Sequence, residues 1–413
     1  MPKRNDCRLC GSKEVVCFLR LSSMPRAGAY LKKEDLDKPE PTYPLDVYFC
    51  KSCASVQLLD IVSRETLFDD YRYLSSVASN SVLEHFHSYA NEIKNELLGN
   101  SGFVVEIACN DGILLKPLND LGVRCIGIDP ATNIVEVARK KGVNVINDFF
   151  GEKLAENIIK KFGFADIVVA NAVFAHVDDM ADMTSGISKI LCKSGSFVFE
   201  VHYLADIIQE MQYDSIYHEH FSYHSITALS TFLKKHGLEI YNIKKFSVRG
   251  GMIRVYAKKI SNKNIQIQSA VSNFLQTEKK IGLDKLETFE TFGKSVLKHK
   301  EEMLNLLKKL KSEGKKIVAY GMSGRGNTLL NFWGVDTKII DYGIDASSER
   351  YGRYVPGMHI PIIPPENALD NVDYALLLAW IFKDDIIKKE KKFIQNGGKF
   401  IIPMPEPHFE PEN

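Results

Sequence analysis

From residue 102 onward, short apolar runs alternate with segments whose apolar residues recur every three or four positions. Residues 103–107, all apolar but for Glu106, read as a buried strand, and 113–121 as the helix after it. A second strand at 125–128 and a second helix at 134–141 follow. Residues 165–170 and 196–201 continue the strand series, with an amphipathic helix between them. Strands alternating with helices predict a parallel, doubly wound α/β sheet, whose ligands sit beyond the carboxyl ends of its strands. Beyond it, 229–236 reads as a helix and 238–243 and 252–258 as antiparallel strands, with a tight turn at Gly250-Gly251. Residues 264–313 are densely charged, with Val296, Met303, Leu304, Leu307 and Leu310 at helical spacing. Solvated helices that only span two domains are the reading this charge favours. A second α/β pattern starts with a strand at 316–320 and has further strands near 374–380 and 400–403.

In the first seventy residues, 32–44 is rich in charge and proline and carries little periodicity. The same seventy residues carry Cys7 and Cys10, then Cys50 and Cys53, two Cys-x-x-Cys turns whose four thiolates complete a tetrahedral sulfur site. With no open position, such a site is a structural zinc, and the loop between the pairs is one that a metal can close. Cys17 is a spare, readable as a small buried hydrophobe. A length of 413 residues implies two or three domains, and 45% hydrophobic with 25% charged residues is the make-up of a soluble globular protein. The net charge of +1 argues against a nucleic-acid binder that relies on a basic field. No apolar run follows the N-terminal basic residues, and the longest one, 374–382, is too short to span a bilayer. The expectation is a cytoplasmic protein without membrane or nucleic-acid partners, and a monomer.

The strand ends carry the informative polar residues. Glu106-Ile107-Ala108-Cys109-Asn110-Asp111-Gly112 follows the first strand, and Asp129 ends the second, placed to accept from ribose hydroxyls. Asp148 and Phe149 offer an adenine edge and face; the fourth strand leads into Asn171 and then His176. This set suits a nucleoside without a diphosphate, because Ala108-Cys109-Asn110 is not the Gly-x-Gly-x-x-Gly turn of a dinucleotide site. The pattern resembles class I S-adenosylmethionine-dependent methyltransferases. That likeness makes Glu106, Ala108, Asn110, Asp129, Asp148, Phe149, Asn171 and His176 the expected cofactor residues.

Within about twenty residues of the fifth strand comes Tyr217-His218-Glu219-His220-Phe221, a dense group of proton-handling side chains. In the C-terminal pattern, the glycine-rich turn 321–326 enters a helix and offers backbone N–H groups to phosphate, with Ser323 and Arg325 beside it. Asp345 after the next strand raises a dinucleotide reading, although the glycine spacing is wrong for it. Arg353 and Tyr354 suit an anionic, ring-bearing substrate or a packed loop, and Tyr73, in an aromatic cluster with Phe68 and Tyr71, is a further substrate candidate.

Taken in order, a four-cysteine segment, a methyltransferase sheet followed by Tyr-His-Glu-His-Phe, and a C-terminal α/β unit resemble the nucleotide-sugar C-methyltransferases. The resemblance covers essentially the whole chain. It implies three segments: a zinc-binding 1–66, a methyltransferase domain 67–262 with a Rossmann-like sheet, and 263–413, linker helices plus a second Rossmann-like unit that binds the sugar nucleotide. It implies S-adenosylmethionine as cofactor and a nucleotide-linked 4-keto-deoxysugar as substrate. His220 is then the base that takes the C3 proton, with Tyr217 and Glu219 assisting, and zinc stays out of the chemistry. The sequence departs from the group where Ala108-Cys109 replaces a common Gly-Ser, and at Arg249, Met252 and Ile381. Two other readings compete: a nicotinamide-dependent oxidoreductase using the 321–326 turn, and a zinc-stapled nucleotide-binding module without catalysis.

Overall fold

The computed structural model describes residues 3–63, 75, 80–99, 101–247 and 250–412. Tyr73, with Phe68, Tyr71 and Arg249, lies outside the described residues. The chain forms two compact units, and each is discontinuous in sequence. The first comprises residues 1–16, 49–205 and 221–285, the second 17–48, 206–220 and 286–413. Residues 17–48 and 206–220 pack with the C-terminal third.

The N-terminal segment is less of a loop than its composition suggests. It contains strands β1 (Val15–Met24), β2 (Tyr43–Cys50) and β3 (Val56–Leu58). In β2, Leu45, Val47 and Phe49 alternate inward, a half-buried pattern that Pro44 and Asp46 obscure in the sequence.

In the first unit the strands are β4 (Phe103–Ile107), β5 (Arg124–Ile128), β6 (Val145–Ile146), β7 (Ala165–Asn171), β8 (Leu191–His202), β9 (Ser222–Tyr223), β10 (Leu238–Phe246) and β11 (Met252–Lys259). Seven of them form one sheet in the order β10-β11-β8-β7-β4-β5-β6. β4 to β8 run parallel, and β11 is antiparallel to both β8 and β10. Every residue of β4 is buried, as a central strand covered on both faces requires. Part of that cover is the helix Asn80–Glu92, whose Val82, Phe86 and Tyr89 join Val104 and Leu115 in the core. The order of strands reverses at β4 and β7, so the crevice beyond their carboxyl ends is the place for a ligand. β3 pairs with β9, Val56 opposite Tyr223.

In the second unit β1 and β2 are neighbours, and the helix Leu286–Ser312 runs for 27 residues. This helix is not the solvated spacer its charge suggested. Phe289, Phe292, Val296, His299, Met303, Leu307 and Leu310 are buried along one face. Phe289 meets Phe18 of β1 with ring centroids 5.3 Å apart, and Gly293 passes so close that an added Cβ would stand 2.5 Å from the Phe18 carbonyl oxygen. The second sheet has β12 (Ile317–Tyr320), β13 (Gly343–Ile344), β14 (Ile362–Ile363), β15 (Tyr374–Leu377), β16 (Lys399–Ile402) and β17 (His408–Glu410). Their order is β14-β13-β12-β15-β16-β17, parallel except for the last strand. The strand expected at 374–380 stops at Leu377, because Trp380–Phe382 forms a 3-10 turn. Among the described residues no helix is long and apolar enough to cross a membrane.

Candidate active site and metal centre

The four cysteines converge as their spacing requires. The Sγ atoms of Cys7, Cys10, Cys50 and Cys53 all lie within 4.8 Å of one another. Cys7 to Cys53 is 3.5 Å and Cys10 to Cys50 is 3.6 Å, close to the edge of about 3.8 Å of a zinc–sulfur tetrahedron with 2.3 Å bonds. The two turns are copies of each other. Gly11 N–H bonds to Cys7 O and Ala54 N–H to Cys50 O, each at 2.8 Å, and both Gly11 and Ala54 have positive φ. Gln57 Nε2 donates to Cys7 Sγ at 3.1 Å, orienting a ligand as outer-shell groups do. The thiolate set and its spacing fit zinc.

At the switch point of the first sheet the backbone is strained. Ala108 (φ 52°), Asn110 (φ 50°) and Ala172 (φ 53°) all adopt the left-handed region that costs a residue with a Cβ about 1 kcal/mol or more. Cys109, between the first two, is buried and packs its Sγ where Gly127 of β5 has no side chain. The turn is held by Asp129, whose two carboxylate oxygens accept the N–H groups of Asn110 and Ala131, each at 2.9 Å. Burial raises the Asp129 pKa against the pull of those bonds. Each oxygen keeps a second lone pair able to accept a further donor.

Glu106 is the most informative group here. Its Oε1 accepts from Asn171 Nδ2 at 3.1 Å across the switch point. Its Oε2 and the Asn171 Oδ1 are buried with no partner among the described residues. Burial pushes the Glu106 carboxyl well above the usual carboxylate range, with Asp129 and Asp111 adding to the rise. Two adjacent buried acceptors without donors call for a cationic or N–H-rich group. The α-ammonium of S-adenosylmethionine is such a group, so these residues fit that cofactor. Asn110 Oδ1 is engaged by the Ser75 N–H at 2.9 Å. Asp148 accepts the N–H of Phe149, which is left with 38% of its surface exposed, an aromatic face after β6. His176 closes the turn Phe174–His176, its N–H on Val173 O at 2.8 Å.

In the second unit the first four residues of the cluster, Tyr217 to His220, are buried or half-buried. His220 Nδ1 lies 2.8 Å from the Ser215 carbonyl oxygen, and Nε2 lies 2.8 Å from the Tyr217 hydroxyl. A carbonyl only accepts, so the Nδ1 facing it carries a proton, and in the neutral form of the ring Nε2 holds the lone pair. His218 turns away to the Tyr43 carbonyl at 3.0 Å. Burial pushes the Glu219 carboxyl up to about 7, with the charge of Arg26 working against the rise. Tyr30, near Glu219, donates to Met322 O at 2.6 Å, and burial pushes its phenol up to about 12. Arg26 and Tyr30 were not legible beforehand, since about 190 residues separate them from Glu219 and no local pattern marks them.

The glycine-rich turn does lead β12 into a helix, Gly324–Trp333, capped by Ser323 Oγ accepting from Gly326 N–H at 3.4 Å. Arg325, however, is occupied. Its Nε and one terminal nitrogen grip the buried carboxylate of Asp214 at 2.9 and 2.8 Å. Asp345 is likewise engaged, by Arg350 and by the Ser347 N–H, each at 2.8 Å. Arg353 is half-buried and its guanidinium has no ion pair or hydrogen bond with a described residue. Tyr354 sits in short bridges to Leu31 and Pro361 through its backbone.

Three family models match consecutive stretches: a zinc binding domain at residues 7–68, a methyltransferase domain at 83–243, and a C-methyltransferase C-terminal domain at 247–405. The chain is 34% identical over 405 residues to the C-methyltransferase NovU of Streptomyces niveus, covering 98% of this chain and 96% of that one. A stretch of 82 residues, 19% of this chain and 32% of the relative, is 38% identical to a ubiquinone biosynthesis O-methyltransferase of a Methylobacterium species. Among solved structures, the magnesium protoporphyrin IX methyltransferase of Synechocystis with bound SAH aligns at TM-score 0.35 and 15% identity, over 47% of this chain and 92% of that one.

Proposed function

This chain belongs to the S-adenosylmethionine-dependent C-methyltransferase family, and we propose that its substrate is a nucleotide-linked 4-keto-deoxysugar methylated at C3. The observation that carries the proposal is the geometry of His220, whose Nδ1 faces the Ser215 carbonyl, so that in the neutral imidazole Nε2 holds the lone pair. A base of this kind suits a carbon acid whose conjugate anion is delocalised onto a ketone. His220 takes the C3 proton on Nε2, and the C–H electron pair becomes an enolate with its charge on the C4 oxygen. The Tyr217 hydroxyl, which donates to Nε2 in the resting site, is released when Nε2 takes up the proton and donates instead to the enolate oxygen. Glu219 orients a sugar hydroxyl. When bound, S-adenosylmethionine supplies an electrophilic methyl to C3 and departs as the neutral thioether.

Glu106 and Asn171 receive the ammonium end of the cofactor, Ala108 and Asn110 line its methionine part, and Asp129 receives the ribose. Asp148 and Phe149 frame the adenine, and His176 flanks the same pocket. On the substrate side, Ser323 with the N-terminus of its helix and Arg353 receive the diphosphate, Tyr354 the nucleobase, and Tyr73 the sugar. The zinc is structural and takes no part in the reaction.

Mass spectrometry of thymidine- or guanosine-linked 4-keto-6-deoxy sugars after incubation with labelled S-adenosylmethionine tests the substrate. Methyl on carbon is the expected result; methyl only on oxygen or nitrogen would overturn the carbon-acid mechanism. For the base, exchange of the C3 proton with deuterated water should vanish in His220→Ala.

A further inference from the structure

Arg325 lies on the helix that follows the glycine-rich turn, where a phosphate ligand would be sought, yet its charge is spent on Asp214. Asp214 is wholly buried, and Trp380 Nε1 adds a third donor at 2.8 Å to the same carboxylate. Asp214 is the middle residue of the 3-10 turn Tyr213–Ser215, and the carbonyl at the end of that turn is the one that accepts from His220 Nδ1. The turn is pinned at its other end too. Tyr213 Oη accepts from Trp333 Nε1 at 2.8 Å and lies 2.8 Å from His299 Nδ1, whose Nε2 donates to Pro403 O at 2.7 Å.

We infer that Arg325, with Trp380, is a positioning residue for the base: through Asp214 it holds the Ser215 carbonyl where only the Nδ1–H tautomer of His220 fits. The inference rests on His220 being the base. The physical case is one of orientation. A neutral imidazole exchanges readily between two tautomers, and only the Nδ1–H form leaves Nε2 able to take a proton. One carbonyl selects that form, and a buried carboxylate paired with a bidentate guanidinium is a stiff mount for the peptide that bears it. Without Arg325, Asp214 would be a buried charge short of its main partner, and the turn would have to move to hydrate it. The Ser215 carbonyl would move with it.

The test is nitrogen-15 NMR of the histidine side chains in the full-length protein, with the His220 signals identified by their loss in His220→Ala. Wild type should show Nδ1 protonated and Nε2 bare, and Arg325→Met should shift His220 toward a mixture of tautomers. With the same variant, kcat and C3 proton exchange should fall together by about 10²-fold, the lower end of what a positioned general base contributes. KM for the sugar nucleotide should stay near the wild-type value. Should Arg325→Met not fold, Arg325→Lys and Trp380→Phe each weaken one set of bonds to Asp214 and should give smaller shifts of the same kind. An unchanged tautomer with a raised KM would overturn the inference and make Arg325 a substrate ligand. Unchanged tautomer, kcat and KM in both milder variants would overturn it as well. Persistence of C3 exchange in His220→Ala would instead sink the base assignment, and the tautomer measurement is independent of that outcome.

Discussion

Ala108 shows how a single residue can be legible in kind and hidden in state. Its small size at the end of β4 marks a turn, but its φ of 52° goes with a turn held by Asp129 on the Asn110 N–H, a contact nineteen residues away in sequence. Glycine adopts that conformation without strain, so Ala108→Gly should stabilise the fold by about 0.5–1 kcal/mol in urea denaturation, the unfolded-chain entropy of glycine offsetting part of the relief. Glu219 carries a different signature. Its pKa is raised in the folded state to about 7 from 4.5, so the folded chain holds the proton more tightly. Its contribution to stability is full below pH 4.5 and declines as pH rises toward 7. Denaturation midpoints taken from pH 5 to 8 should fall more steeply in wild type than in Glu219→Gln. The cluster Tyr217 to His220 could be found in the sequence because its members are contiguous. The identity of the protonated nitrogen could not, because it depends on how the backbone turns at Ser215.

At the level of elements, the parallel strands were legible because a strand covered on both faces is mostly apolar, as β4 is but for Glu106 and β7 but for Asp166 and Asn171. β1 and β2 escaped notice because a half-buried strand alternates, and serines and charges break up the alternation. The helix Leu286–Ser312 misled for another reason. Lysine and glutamate dominate its composition, but its buried residues form one stripe against its own unit. Gly293 sits in that stripe. In an exposed helix, glycine to alanine stabilises by up to about 1 kcal/mol. Here the new methyl would press on the Phe18 carbonyl, so Gly293→Ala should instead destabilise by about 1–3 kcal/mol in thermal or chemical denaturation.

Over the whole molecule, the zinc segment reaches further than its cysteines. Arg8, next to Cys7, is buried and donates to the carbonyls of Leu58 and Phe221 at 3.1 and 2.9 Å. Phe221 follows His220 directly in the chain and also donates its N–H to Ala175. Stripping zinc with a chelator should therefore lower the melting temperature and abolish methyl transfer, both restored by adding zinc back. Arg8→Lys should keep the metal, by elemental analysis, and still lose activity, because one ammonium cannot serve both carbonyls and Asp178.

The interleaving of the two units has a consequence for making and cutting the protein. The chain passes from one unit to the other at residues 16/17, 48/49, 205/206, 220/221 and 285/286, so no single break in the chain releases either unit whole. A fragment ending at residue 262, which looks like a free-standing methyltransferase, would carry 17–48 and 206–220 without the partners that bury them. It should be recovered in inclusion bodies rather than as a soluble enzyme. On the ribosome the second unit has residues 17–24 of the strand Val15–Met24 from the start but cannot close until the last sheet strands emerge. Until the helix Leu286–Ser312 emerges, Phe18 of that strand lacks the Phe289 ring that packs on it.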